Sequence, residues 1–205
     1  MTAMLPINPA QLSYDYNLRF DGNPYTASDG TPCASRVTLD VCLAEDISDV
    51  MPAGRRVAHS VLHLVPEVLQ APIGIFDAPE LKDFGDLLAH VSLDILVGLQ
   101  RGVDNSCMTV VASMNVDPLF RGQNISYMLM DSIRDTVGRS GSLIAVSAAP
   151  TLQGYGPDAE TAYAAGMASL ERHWERYGFI NCQNGLMMLP ILPHTDEGRV
   201  ARYAW

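Results

Sequence analysis

A chain of 205 residues that is 48% hydrophobic and 18% charged has the size and composition of one soluble globular domain with a sizeable core. A formal net charge of −10, with no local basic patch, repels phosphate backbones and excludes nucleic acid as an expected partner; the negative field favours cationic substrates such as amines. No apolar run approaches the ~18–20 residues of a membrane helix. The first residues also lack a secretory signal, and Cys33, Cys42, Cys107 and Cys182 are scattered as free thiols, so a cytoplasmic location is expected and no membrane partner.

Residues 1–35 are rich in Pro, Gly, Asn, Asp and Ser and read as an irregular arm, with a short strand near Leu18–Phe20 at most. Val37–Glu45 and Arg56–Pro66 alternate apolar and polar side chains, and the turn residues between them predict an antiparallel pair. A further short strand is expected at Ile73–Phe76. Leu81–Leu99 places Phe84, Leu87, Leu88, Val91, Ile95 and Leu99 on one helical face, as one helix or two. Cys107–Val116 is rich in β-branched residues and predicts a strand. Ile125–Val137 is an amphipathic helix ended by Gly138. Ser142–Ala148 is a continuous apolar strand, buried on both faces. Asp158–Tyr177 is a long helix with the stripe Tyr163, Met167, Leu170, Trp174 and Tyr177, stopped by Gly178. Leu186–Leu192 makes a last strand.

This order predicts an α/β (α+β) fold around a mixed sheet, in a single domain spanning residues 1–205. Within it, residues 36–106 form one half and 107–192 the other.

The most informative stretch is Val116-Asp-Pro-Leu-Phe-Arg-Gly-Gln-Asn-Ile-Ser126. A strand ends at Val116, Pro118 turns the chain, and a loop holding Arg121 and Gly122 runs into a helix. Such a loop aims several backbone N–H groups at one point, and the helix start adds its positive dipole end. Gly122 has no Cβ, so a ligand can approach the main chain. An ordinary βα connection shares this pattern. The stretch resembles the coenzyme A loop of the GNAT acetyltransferases, an Arg-Gly-x-Gly-x-Gly run after a strand ending in Val-x-Pro. Downstream, Trp174-Glu-Arg-Tyr-Gly-Phe179 is similar to that family's closing-helix motif, Tyr-Glu-Lys-Leu-Gly-Phe. The two motifs stand in the family's order, and the resemblance covers residues 107–192.

The resemblance implies a mostly antiparallel central sheet flanked by helices, of the acyl-CoA N-acyltransferase type, with strands 107–116 and 142–148 parallel and diverging. It implies acetyl-CoA or a related acyl-CoA as co-substrate, no metal, and a small-molecule or peptide amine as acceptor. The oligomeric state stays open, with a homodimer as one option. Met114, Asn115 and Val116 would bind the pantetheine amides, and Arg121, Gly122, Gln123, Asn124, Ile125 and Ser126 the pyrophosphate. Asn124 and Ser126 depart from the loop pattern; Asn tolerates the left-handed conformation and Ser is small. Trp174 replaces the family's acidic Tyr, and an indole is no usable acid. Tyr177 and His173 are the nearest titratable candidates to protonate the leaving thiolate, beside solvent. A catalytically silent acyl-CoA-binding sensor on the same fold is the alternative.

Other residues read more plainly. His59 and His63 on a strand lie roughly 13 Å apart, at ~3.3 Å per residue, too far to share a metal. Asp117 is a loop carboxylate or an acceptor of the amine proton. Ser113 and Asn115 are expected to share a face with Thr109 and Val111, either holding a water or forming a polar part of the sheet.

Overall fold

Alternating side chains pull the first half of the molecule into strands. In β2 (Ser35–Leu43) Val37, Leu39, Val41 and Leu43 are buried while Arg36, Thr38, Asp40 and Cys42 reach solvent. Each fully buried aliphatic side chain of this kind contributes about 1.5–3 kcal/mol of transfer free energy. The computed structural model describes residues 7–19, 34–48, 51–65, 76, 81–90, 108–138, 143–150 and 159–191. Within them β1 (Leu12–Arg19), β2, β3 (Arg56–Val65), β4 (Met108–Val116), β5 (Leu143–Ser147), β6 (Ile180–Asn181) and β7 (Leu186–Pro190) form one sheet, ordered β1-β2-β3-β4-β5-β7-β6. Only β4 and β5 run parallel among the described pairs, joined through α2 (Ile125–Thr136). The result is the mixed, mostly antiparallel α/β fold expected.

The sheet buries both faces. On one, Ile125, Leu129, Met130 and Ile133 of α2, with Trp174 and Tyr177 of α3 (Ala159–Tyr177) and Phe179 beyond it, pack over Val37, Leu39, Val41, Leu62, Ile144 and Val146. On the other, Leu81 and Phe84 at α1 (Lys82–Leu88) cover Val65, Met108, Val110, Leu143 and Met188. As expected of an inner strand, β5 buries Leu143 through Val146 without alternation. No described helix is long and apolar enough to cross a membrane.

Four expectations need correction. Residues 12–19 are an edge strand and not irregular arm: Leu12 through Arg19 pair residue for residue with Leu43 through Arg36. The two-residue β6 lay outside every expected element, being too short to show a period. The stripe of α3 turns inward only from Met167; Tyr163 is 36% exposed, because the first turns of the helix stand clear of the sheet. Finally, Val61 faces Ser113 while its neighbour Leu62 faces Val111, so Ala112 is an extra residue, a β-bulge. The bulge reverses the alternation, and Ser113 and Asn115 lie on the face opposite Thr109 and Val111. The expected helix beyond His90 and most of the Ile73–Phe76 strand lie outside the described residues.

Candidate functional site at the end of β4

The site begins where β4 leaves β5. The two strands pair from Met108–Leu143 to Val111–Val146 and no further, although β4 continues to Val116. After β5, the Ala148 N–H donates to the Gly185 carbonyl (2.8 Å) on the β7 side. The strands therefore part just past the Ala112 bulge, which adds local twist. On the other side of β4, the Asp117 N–H donates to the Val57 carbonyl at 2.9 Å. Antiparallel ladders alternate, so residues 115 and 113 also turn their main-chain groups toward β3. Those of Met114 and Val116 point the other way, into the opening. The Val116 carbonyl there accepts from Arg121 Nε at 3.2 Å.

The loop that follows is held from outside. Asp117 Oδ1 accepts from the Leu119 N–H (2.9 Å), and Oδ2 pairs with Arg55 at 3.6 Å. Both oxygens are engaged in shaping the turn Pro118–Phe120, whose Phe120 ring is fully buried under the Arg55 guanidinium. Gln123 spends its side chain on the Ile7 N–H, accepted at 2.9 Å.

Two residues in the loop have left-handed backbone. Gly122 has φ +79°, and a Cβ there would meet nothing within 4 Å. Asn124, the N-cap of α2, has φ 58° and ψ 20°, and its side chain makes no capping bond. The sequence departure at Asn124 is thus filled by one of the few non-glycine residues that adopt this conformation readily. The N–H groups of Gly122, Gln123, Asn124, Ile125 and Ser126 find no hydrogen-bond acceptor among the described residues; the first helical bonds to the Asn124 carbonyl come from Tyr127 and Met128. Bare donors at a helix start are expected. Here they share one corner of the fold with a glycine whose added Cβ would meet nothing within 4 Å.

α3 closes this corner with an aromatic cluster. Ser126 Oγ and His173 Nε2 share a hydrogen bond of 2.9 Å, and the Tyr127 hydroxyl donates to the His173 carbonyl at 2.7 Å. The Tyr127 and His173 rings stack at 4.5 Å. Trp174, 6% exposed, meets His173, Tyr127, Tyr177 and Phe179. Burial, and then the charge of Arg176, lower the His173 pKa below the ordinary imidazole value. The other candidate acid faces elsewhere: the Tyr177 hydroxyl donates to Asp131 Oδ1 (2.7 Å), which Arg134 also pairs at 3.3 Å. His173 and Tyr177 are therefore on one helix but serve different ends of α2.

His59 and His63 lie on β3 as expected, and no cluster of three metal-ligating side chains occurs among the described residues. What the sequence reading missed is the partner of His59. Its Nδ1 lies 2.9 Å from Asp40 Oδ1, across the β2–β3 pair. The strand register places them side by side; that register depends on the turn between the strands, which the spacing alone does not determine.

Among solved structures, the chain is similar to a protein of the yellow fever mosquito Aedes aegypti described as arylalkylamine N-acetyltransferase 7. The two are 19% identical, the match covers 75% of this chain and 63% of that one, and the TM-score is 0.34. The match thus spans less than two thirds of the mosquito protein. No family model matches the sequence, and no curated protein does.

Proposed function

We propose that the protein transfers an acetyl or other short acyl group from acyl-CoA to an amine by direct attack, without a covalent enzyme intermediate. The observation that carries this reading is the junction at the end of β4. An opening between parallel strands, edged by outward main-chain groups of Met114 and Val116, leads to five N–H groups around Gly122 that have no partner among the described residues. Amides of a pantetheine arm pair naturally with a strand edge that has lost its neighbour, and a pyrophosphate suits clustered N–H donors at a helix start. In this reading Met114, Asn115 and Val116 hold the arm and polarise the thioester carbonyl, and Arg121 through Ser126 hold the phosphates. The Ser126–His173 contact sets His173 beside the phosphates. The thiolate is a fair leaving group, since thiol pKa values lie far below those of alcohols, and we assign its proton to solvent.

A silent acyl-CoA binder is favoured by one observation: Trp174 and the engaged hydroxyl of Tyr177 leave no free acid on this stretch of α3. Two measurements decide. Titration calorimetry with acetyl-CoA is expected to give saturable binding; none would remove both readings. Incubation with acetyl-CoA and a panel of primary amines, followed by free-thiol release, is expected to show amine-dependent turnover. Binding without turnover would leave the silent binder.

A further inference from the structure

The opening between β4 and β5 joins two faces of the sheet. α2 and its bare N–H groups stand on one face. An acyl acceptor must reach the thioester carbon from a side that the pantetheine arm does not fill, which is the other face. There the Ala112 bulge turns Ser113 and Asn115 outward, and register sets His59 directly opposite Asn115 and Asp40 directly opposite His59. Cross-strand neighbours of this kind have Cβ atoms ~4.5–5.5 Å apart. Among the described residues, α1 packs on the far end of this face, at Val65, Met108 and Val110. The His59 and Asp40 side chains remain 31% and 38% exposed, within reach of a substrate and still held.

The geometry of the pair also selects a proton position. A carboxylate only accepts, so the 2.9 Å contact makes His59 Nδ1 the donor and leaves the lone pair on Nε2. Arg56 approaches the same Asp40 oxygen at 3.4 Å and helps to orient that carboxylate. This is the arrangement of a base with an orienting acid: one nitrogen fixed, the other free to take a proton. Among the described residues, charged or titratable groups on this face also include Asp15 on β1, Arg36 and Cys42 on β2, His63 on β3 and the buried Cys182; β4 sets the neutral Ser113 and Asn115 there.

We infer that His59 is the general base for the acyl acceptor and Asp40 its positioning residue. The inference rests on the acyl-transfer reading above. The acceptor nitrogen attacks the thioester carbon, a C–N bond forms and the C–S bond breaks. The proton shed by nitrogen passes to His59 Nε2 and on to solvent. The CoA thiolate takes a proton from solvent, so the products are the amide and free CoA.

The test uses His59→Gln, Asp40→Asn and, as a control, His90→Ala, whose imidazole lies on the exposed end of α1. Each is titrated with acetyl-CoA and assayed for thiol release across pH with the best amine of the panel. His59→Gln is expected to bind acetyl-CoA within about twofold of wild type, to lose ~10²-fold or more in kcat, and to lose the acid limb of the kcat/KM profile. Asp40→Asn is expected to lose less and to shift that limb; His90→Ala is expected to match wild type. An unchanged limb and kcat within threefold for His59→Gln overturn the assignment while leaving acyl transfer intact. A wild type that binds acetyl-CoA but releases no thiol with any amine also overturns it, because no proton then needs a base. Failure of the wild type to bind acetyl-CoA overturns the underlying reading instead, and is recognised in the binding arm alone.

Discussion

The two ends of α2 belong to one twelve-residue helix and are built in opposite ways. At its C-terminal end the polar side chains are engaged. Asp131 accepts from the Tyr177 hydroxyl and pairs with Arg134, Ser132 shares a 2.8 Å bond with Tyr16 of β1, and the Gly138 N–H closes the helix on the Ile133 carbonyl. At its N-terminal end two residues sit at positive φ, five N–H groups lack partners among the described residues, and burial lowers the pKa of the adjoining His173. Saturated polar groups stabilise a fold and have nothing left to offer a ligand. Unsaturated donors, held in place by left-handed backbone, cost stability that a ligand can restore. The same contrast separates the two candidate acids: Tyr177 serves the saturated end and His173 the unsaturated one.

The largest expected effect removes what both ends share. Trp174 is buried among Tyr127, His173, Tyr177 and Phe179, and truncating it leaves a cavity beneath both ends. Trp174→Ala is expected to cost ~3–5 kcal/mol in chemical denaturation. A cost below about 1 kcal/mol would mean that the two ends stand independently.

Gly122→Val sharpens the comparison at the open end. The position has free space for a Cβ, so the penalty is conformational: a β-branched residue at φ +79° costs ~1–3 kcal/mol and disturbs the turn that sets the loop N–H groups. Acetyl-CoA affinity is expected to fall at least tenfold by calorimetry, more than for Arg121→Ala, whose side chain adds a screened charge and one bond to the Val116 carbonyl. Equal affinity for Gly122→Val and wild type would separate the loop from ligand binding.

Tyr177→Phe probes the saturated end. It deletes the bond to Asp131, whose pairing with Arg134 remains, at a cost of ~1–2 kcal/mol in thermal or urea unfolding. Acetyl-CoA affinity and the alkaline limb of thiol release are expected to stay as in wild type. Loss of that limb would make Tyr177 the thiolate's acid and break the division drawn here.

The open end was legible in the sequence because its signal is local. Arg121-Gly122 after Val116-Asp117-Pro118 is a backbone instruction, and the positive φ of Gly122 and Asn124 follows from residue type. β2 and β3 were legible from side-chain alternation, β4 from its β-branched residues and β5 from an unbroken apolar run. β1 carries the same alternation, in Leu12, Tyr14, Tyr16 and Leu18, but its Pro, Asn and Asp neighbours outweighed it. The Ala112 bulge left no trace, because Val-Val-Ala-Ser-Met-Asn-Val reads as an unbroken strand in either register. The pairings Asp40–His59, Ser126–His173 and Asp131–Tyr177 were invisible for one reason: each depends on how two distant elements slide past each other. Tyr163 shows a related limit, since period says which helical residues share a face and not how far the neighbouring surface extends.

The smallest expected effect is a proton. Burial first, and then the nearby Arg176 charge, hold His173 below its ordinary value of 6.5. Below that value the unfolded chain protonates the ring while the folded protein still keeps it neutral. This contribution therefore favours the folded state least in acid: stability falls as pH drops from 6.5 through the folded pKa, and is recovered above 6.5. His173→Gln is expected to flatten that acid slope in urea titrations. A pyrophosphate on the first turn of α2 would reverse the balance, because Ser126 sets the His173 ring beside it and a nearby anion favours the charged imidazole. Acetyl-CoA binding near pH 6 is then expected to take up a fraction of one proton and to strengthen as pH falls. Calorimetry in buffers of different ionisation enthalpy measures that uptake. The ligand's own phosphates ionise in wild type and variant alike, so the difference between wild type and His173→Gln isolates the ring. If the two take up protons equally, the anion is not beside His173, and the unsaturated end of α2 loses its claim to the phosphates.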